Sequence, residues 1–308
     1  MRSIVTGGAG FIGSHLVDHL VSAGSDVIVI DSLISGSVDS VRGHLDAKKI
    51  RLVSADLLSD GWQDSFAGAD RIYHLAADPD VRESSVSPDK QLNNTIITTH
   101  RVLEAMRTFH VPEIVFTSTS TVYGEATIIP TPESYTPMEP VSVYGASKLA
   151  CEALISAYCH SFSMRSWIFR FANIIGARSG HGVITDFIRK LRADPQRLEI
   201  LGDGAQTKSY LEVHECIRAI MYVIANTHDT VNTYNVGSED WISVTDIADI
   251  VVAEMGLTPD YHYTGGSRGW IGDVPKMQLD VSRLKETGFI PGISSRESVR
   301  VSVQAALE

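Results

Sequence analysis

An α/β fold built on a doubly wound parallel sheet, with a smaller C-terminal lobe, is what this 308-residue sequence predicts. Three observations predict it. Short β-branched runs alternate with helical patterns through the first half, the signature of parallel strands joined by crossover helices. A glycine-rich turn directly follows the first of those runs. Past about residue 172 the rhythm loosens, and glycines gather at 176–182 and 202–204.

Taken in order, the expected strands are Ser3–Thr6, Asp26–Ile30, Ile50–Ser54, Arg71–Leu75, Glu113–Ser118 and Ser166–Phe171. Between them Ile12, Leu16 and Leu20 recur at fours, as do Val102 and Met106 after the Asn93-Asn94 pair, which places one apolar face on each helix. Helical patterns at 183–193, 214–226 and 243–255 follow, separated by short strands such as Thr233–Val236. The expected organisation is therefore a first domain over 1–172, with segments near 205–240 returning to it, and a smaller α/β lobe over 173–308. No repeat or low-complexity tract is visible.

Composition narrows the class. A chain of this length can bury a large core, and 44% hydrophobic with 20% charged residues is the balance of a globular protein in water. No apolar run approaches the roughly 20 residues of a membrane span. Met1-Arg2 run straight into a strand-like segment without the longer apolar stretch of a secretory signal, so the expectation is a cytoplasmic protein. Cys151, Cys159 and Cys216 are odd in number and form no Cys-x-x-Cys, which points to reduced thiols and to no metal site. A formal charge of −11 argues against a nucleic-acid partner.

"IVTGGAGFIGSHL" joins the first strand to the first helix. Gly8, Gly10 and Gly13 fit Gly-x-Gly-x-x-Gly, and Gly7, Gly10 and Gly13 fit a spacing of threes. Backbone without Cβ lets a pyrophosphate approach free N–H groups at the positive end of a helix. The second strand, "DVIVID", ends in Asp31, 18 residues after Gly13, where a carboxylate can accept both ribose hydroxyls of NAD and repel the 2′-phosphate of NADP. A tight turn for the glycines and a turn-forming role for Asp31 are the plainer alternatives. Asp56, after the third strand, is an adenine-side contact or a helix cap.

Tyr144 and Lys148 stand four apart in "SVYGASKLACEAL" and share a helix face. A lysine ammonium beside a phenol favours the phenolate, so such a tyrosine can take a proton from a sugar hydroxyl while hydride leaves for a nicotinamide. Spacing alone is equally compatible with a packed tyrosine and a solvated lysine. The glycine loop upstream and the hydroxyls of Ser118, Thr119 and Ser120 at the end of the fifth strand favour chemistry.

Together these segments resemble the extended short-chain dehydrogenase/reductase family, a Rossmann fold, and within it the nucleotide-sugar 4-epimerases of the UDP-glucose/UDP-galactose type. "TGGAGFIGSHL", "HLAA" (74–77), "STSTVYG" (118–124), "VYGASK" (143–148), "RFANIIG" (170–176), "GDGAQTKSYLEVHE" (202–215), "YNVGS" (234–238) and "RGWIGDV" (268–274) carry the likeness along nearly the whole chain. The resemblance implies a tightly bound NAD, a UDP-sugar substrate, a substrate-binding C-terminal lobe, and a homodimer using helices at about 93–108 and 144–162. It implies Tyr144 as acid/base, Lys148 as ribose ligand that depresses the tyrosine pKa, and Thr119 as the hydroxyl bonding the substrate's 4-oxygen. Around the cofactor it implies Gly7, Gly10, Phe11, Ile12 and Gly13 in the loop and Asp31, Ser32 and Leu33 at the ribose. Asp56 and Leu57 fall at the adenine, Leu75, Ala76 and Ala77 after the fourth strand, and Asn94 and Ser118 beyond. Toward the substrate it implies Ser120, Thr121, Asn173, Lys208, Tyr210, Arg268 and Asp273. Asn173 as a turn residue and Arg268 as a surface charge remain the plainer readings.

Two departures from the family pattern stand out: Lys208-Ser209 where many relatives carry Arg-Asp, and Asp78-Pro79-Asp80-Val81-Arg82 with proline where the best-known bacterial epimerases carry lysine. Arg82 would then compensate. Related sugar 4,6-dehydratases typically carry Asp-Glu after the threonine and uronate decarboxylases Thr-Ser-Glu, whereas Thr119 is followed by Ser120 and Thr121. Without those carboxylates elimination lacks its acid and base, and the expectation is 4-epimerisation of UDP-glucose and UDP-galactose. An N-acetylhexosamine or uronate epimerase, a net NAD-dependent reductase, and a non-catalytic NAD sensor are the alternatives.

Overall fold

The structure, a computed structural model, describes residues 1–308 except 82, 83, 85 and 270–273. The expectations for Arg82 and Asp273 lie outside the described residues. The chain divides into two compact units: unit 1 comprises Met1–Val122, Glu139–Arg170 and Ile224–Tyr234, and unit 2 comprises Tyr123–Met138, Phe171–Val223 and Asn235–Glu308.

In unit 1 the β-branched runs become β1 (Arg2–Thr6), β2 (Asp26–Asp31), β3 (Ile50–Ser54), β4 (Arg71–His74), β5 (Glu113–Thr119) and β6 (Arg165–Phe171). With a strand at Val231–Val236 they form a seven-stranded sheet in which β6, β5, β4, β1, β2 and β3 follow one another. β1 pairs in parallel with β2 and β4, β2 with β3, and β4 with β5. That reversal of order at β1 is the switch point of a doubly wound sheet, the crevice where such folds take ligands. β1 and β2 are buried at every position after the first, as interior parallel strands covered on both faces must be.

Among the described residues its α-helices are α1 (Phe11–Ser22), α2 (Arg42–Asp46), α3 (Pro88–Gln91), α4 (Thr98–Phe109) and α5 (Val143–Phe162). A π-helical turn over Leu92–Ile97 leads into α4. α4 stops at His110, whose left-handed backbone (φ 60°) lets the Val111 amide bond the Met106 carbonyl at 2.9 Å, and Pro112 follows. α5 starts where the Ser142 side chain accepts the Gly145 amide at 3.1 Å. Their apolar faces meet the sheet in one core, with Ile4, Ile72, Leu103, Phe116 and Ile155 fully buried.

Unit 2 has a separate core that includes Phe187, Leu198, Ile247 and Val299. It is built from helices at Val183–Ala193, Val213–Asn226, Val244–Glu254 and Ser295–Leu307 and from short strand pairs, among them Tyr210–Glu212 parallel to Asn173–Ile175. Ser243 and Asp246 cap the Val244 helix reciprocally. Among the described residues no helix is long and apolar enough to cross a membrane.

Candidate active site

The glycine loop is tight because its own backbone fills it. Gly7 has φ +71° and its Cα lies against the chain after β4: an added Cβ would sit 2.7 Å from the Ala76 amide nitrogen. A Cβ on Gly13 would meet the Gly7 carbonyl oxygen at 2.1 Å. Gly10 is the N-cap of α1, extended, with no side-chain cap and no acidic residue in the first turn. Phe11, Ile12 and Gly13 thus open a helix whose own first turn carries no acidic side chain to compete with a phosphate.

Asp31 closes β2 and is 8% exposed. Its carboxylate accepts the Ala9 amide at 2.9 Å and the Leu33 amide at 2.8 Å, so it ties the glycine loop to the turn through Ser32 and Leu33 (φ 61°). The turn-forming role is therefore present, and the two oxygens still have lone pairs to offer a ribose. Asp56 is exposed and its carboxylate accepts the Leu58 amide at 2.9 Å, while Leu57 beside it is buried.

Tyr144 is the second residue of α5 and Lys148 lies one turn further on. The helix start packs against the turn after β5 so closely that a Cβ on Gly145 would stand 2.7 Å from the Thr121 carbonyl, and the Thr119 hydroxyl at the end of β5 acts on the phenol of Tyr144. Thr119 also accepts the Thr121 amide at 3.2 Å and lies 3.1 Å from the Thr121 hydroxyl. Ser120 is buried beside them. Burial pushes the Tyr144 phenol up to about 12; its hydrogen bond with Thr119 pulls the other way and the Asp78 carboxylate adds to the rise.

The expected depression of Tyr144 by Lys148 is not what the site has. Lys148 is buried, donates from Nζ to the Thr117 carbonyl at 2.9 Å and lies 4.7 Å from the centre of the Phe116 ring, and it is not among the groups that shift the phenol. Its own ammonium is pushed down to about 8 by burial, against the raising effects of Cys151 and Glu152. The Ser118 hydroxyl is bonded to Glu152.

Sequence reasoning missed several members of this layer. Glu152 accepts from the guanidinium of Arg170 at 2.7 Å, both side chains being buried. Its position four after Lys148 was the available signal. His74 ends β4, accepts from Thr6 at Nδ1 (2.7 Å) and meets Thr99 through Nε2 (3.0 Å); Thr99 itself donates to the Thr95 carbonyl, which leaves Nε2 as the donor. Asp78 is buried, pairs with Lys90 at 2.9 Å and accepts the Asp80 amide at 3.1 Å. Leu75, Ala76 and Ala77 are half-buried along the chain that follows β4, and Asn94 is half-buried in the π turn.

In unit 2, Asn173 donates to the Ser209 carbonyl at 3.2 Å and is half-buried. Lys208 is half-buried on a short strand, and the Tyr210 ring belongs to the unit 2 core, with its amide on Ser295 at 3.0 Å. Arg268 forms an ion pair with Glu125 at 2.7 Å, both partly exposed.

A bare helix N-terminus preceded by glycines that admit no Cβ, with a buried carboxylate at the end of β2, fits a dinucleotide. The fold and this loop define a protein of the Rossmann type. The NAD dependent epimerase/dehydratase family model matches residues 3–237, and the chain belongs to that family. The chain is 29% identical over 314 residues to the UDP-glucose 4-epimerase of Mycolicibacterium smegmatis, covering 99% of this chain and 98% of that one. A solved UDP-galactose 4-epimerase superposes with a TM-score of 0.90 at 40% identity, covering 100% and 99%. The Thermotoga maritima UDP-glucose 4-epimerase with UDP-glucose gives 0.90 at 28% identity, covering 100% of both chains. A Bacillus cereus UDP-glucuronic acid 4-epimerase in complex with UDP-glucuronic acid and NAD gives 0.89 at 26% identity, covering 99% and 98%.

Proposed function

We propose that this protein is a nucleotide-sugar 4-epimerase that interconverts UDP-glucose and UDP-galactose with tightly held NAD. The observation that carries the reading is Tyr144 beside Thr119 at the end of β5, with buried Lys148 one helical turn on, in a sheet whose first turn is fit for a dinucleotide.

NAD would be held by the α1 N-terminus through Gly10–Gly13, by Asp31 at its adenosine ribose and by Lys148, and when bound it supplies an acceptor that takes and returns the C4 hydride of the sugar. Thr119 orients the 4-oxygen and Tyr144 accepts its proton, later returning it to the inverted alcohol. The 4-keto sugar turns about its diphosphate between the two transfers, so that the opposite face is presented. Asn173 would hold the nucleotide-sugar, and Arg268 and Lys208 its diphosphate.

Elimination would need an acid for the departing 6-hydroxyl and a base for C5, and the related decarboxylases carry a glutamate, in the positions that follow Thr119. Ser120 and Thr121 carry hydroxyls there, and the carboxylate that acts on the phenol, Asp78, is committed to Lys90 and the Asp80 amide. Epimerisation needs neither. Incubating the purified protein with UDP-glucose, UDP-N-acetylglucosamine and UDP-glucuronate without added NAD tests the reading: the largest turnover is expected with UDP-glucose, giving UDP-galactose. Turnover confined to another sugar, or release of NADH, would replace it.

A further inference from the structure

The Asp31 carboxylate is enclosed on three sides. One oxygen accepts the Ala9 amide at 2.9 Å and the other the Leu33 amide at 2.8 Å. The third side is Gly36. A Cβ built there would stand 2.9 Å from Asp31 Oδ1, the oxygen that receives Leu33, and 3.0 and 3.1 Å from the carbonyl carbon and oxygen of Ala9. The loop after β2 closes at this point, where the Ser37 amide donates to the Ala9 carbonyl at 3.0 Å.

Gly36 does not have the left-handed backbone that favours glycine, so a larger residue is excluded by its neighbours and not by its own dihedrals. The two neighbours differ in what they can give. Ala9 is buried, bonded at its amide by Asp31 and at its carbonyl by Ser37, and belongs to the turn where Gly7 and Gly13 leave no room for a methyl group. The Asp31 carboxylate can turn about its side-chain bonds at the cost of its two amide partners. A methyl group at position 36 therefore displaces the carboxylate first.

We propose that Gly36 is a specificity-determining residue for the dinucleotide: by presenting no side chain it seats the Asp31 carboxylate where that group accepts the ribose hydroxyls of NAD and repels the 2′-phosphate of NADP. This rests on the reading of Asp31 as the ribose ligand. The carboxylate carries both halves of the preference, so moving it weakens NAD and relieves NADP. A defect in the glycine turn itself would weaken the two alike.

The test equilibrates full-length protein with an excess of NAD and NADP at equal concentrations, removes unbound nucleotide and counts the two retained by chromatography. Misfolded protein retains neither, so the ratio reads folded molecules alone. Gly36→Ala should lower the bound NAD:NADP ratio by about tenfold, the worth of one hydrogen bond to a charged group. Asp31→Asn should lower it as well, and Gly36→Ala/Asp31→Asn should match Asp31→Asn, because the methyl group then has no carboxylate to displace. An unchanged ratio in Gly36→Ala beside a lowered one in Asp31→Asn, or additive losses in the double variant, would overturn the proposal and leave the ribose reading standing. An unchanged ratio in Asp31→Asn would overturn that reading and the proposal with it.

Discussion

The hydroxyl of Thr119, at the end of β5, acts on the phenol of Tyr144, at the start of α5, where the helix packs with Gly145 against Thr121. That influence favours the phenolate against a burial that raises the phenol, and the balance sets the energetics of any proton transfer there.

Replacing Thr119 by Ala should lower kcat by roughly 100-fold or more, the ordinary worth of a positioned proton-handling group, while Thr119→Ser stays near wild type. The hydroxyl bond favours the ionised phenol, so its loss also moves the acid limb of the pH–rate profile to higher pH. A profile unchanged in Thr119→Ala would mean that the hydroxyl does not act on Tyr144.

Asp31 accepts two backbone amides, and in the proposed cofactor site its charge would repel the 2′-phosphate of NADP. Asp31→Asn should lose about 1–3 kcal/mol of stability through the poorer pairing and should narrow the preference for NAD over NADP. Fluorescence titration with both cofactors and a denaturant melt report the two effects separately. Undiminished discrimination would place the ribose elsewhere.

Gly13 has no space for a methyl group: its Cβ would stand 2.1 Å from the Gly7 carbonyl oxygen. Gly13→Ala is expected to be destabilised by about 1–3 kcal/mol and to purify with less nucleotide, seen in the ratio of absorbance at the nucleotide and protein bands. Gly43→Ala is the control, since nothing lies within 4 Å of its Cβ and alanine suits its helix.

His74 is fully buried with a pKa lowered to about 3. Below its unfolded value of about 6.5 the unfolded chain takes a proton that the folded one refuses, so stability falls as pH drops from near 6.5 toward 3. The slope from this one group approaches about 1.4 kcal/mol per pH unit. Urea melts across that window should show a shallower dependence in His74→Gln, and an equal slope in both proteins would mean that the ring is protonated in the fold.

The sheet was legible because parallel interior strands are continuous apolar runs: all six expected strands form, with ends displaced by a residue at Arg2, Asp31, His74, Thr119 and Arg165. The glycine loop was legible because its spacing is a steric requirement. Membership of Tyr123–Met138 in unit 2 carries no local pattern and was not foreseen. Neither were the Glu152–Arg170 pair and the bonds of His74 to Thr6 and Thr99, since such partners lie far apart in the chain and announce themselves only by contact. The direction of the Tyr144 shift went against expectation for a related reason: four-residue spacing puts Lys148 on the same helix face, but its Nζ is drawn to the Thr117 carbonyl and burial dominates the phenol.

The most direct measurement follows UDP-galactose formation from UDP-glucose by wild type and Tyr144→Phe, both purified without added NAD and both assayed for bound nucleotide. The account predicts turnover by wild type, a loss of at least about 1,000-fold in the variant, and equal NAD content in the two. Comparable turnover in Tyr144→Phe would show that the proton is handled by another group.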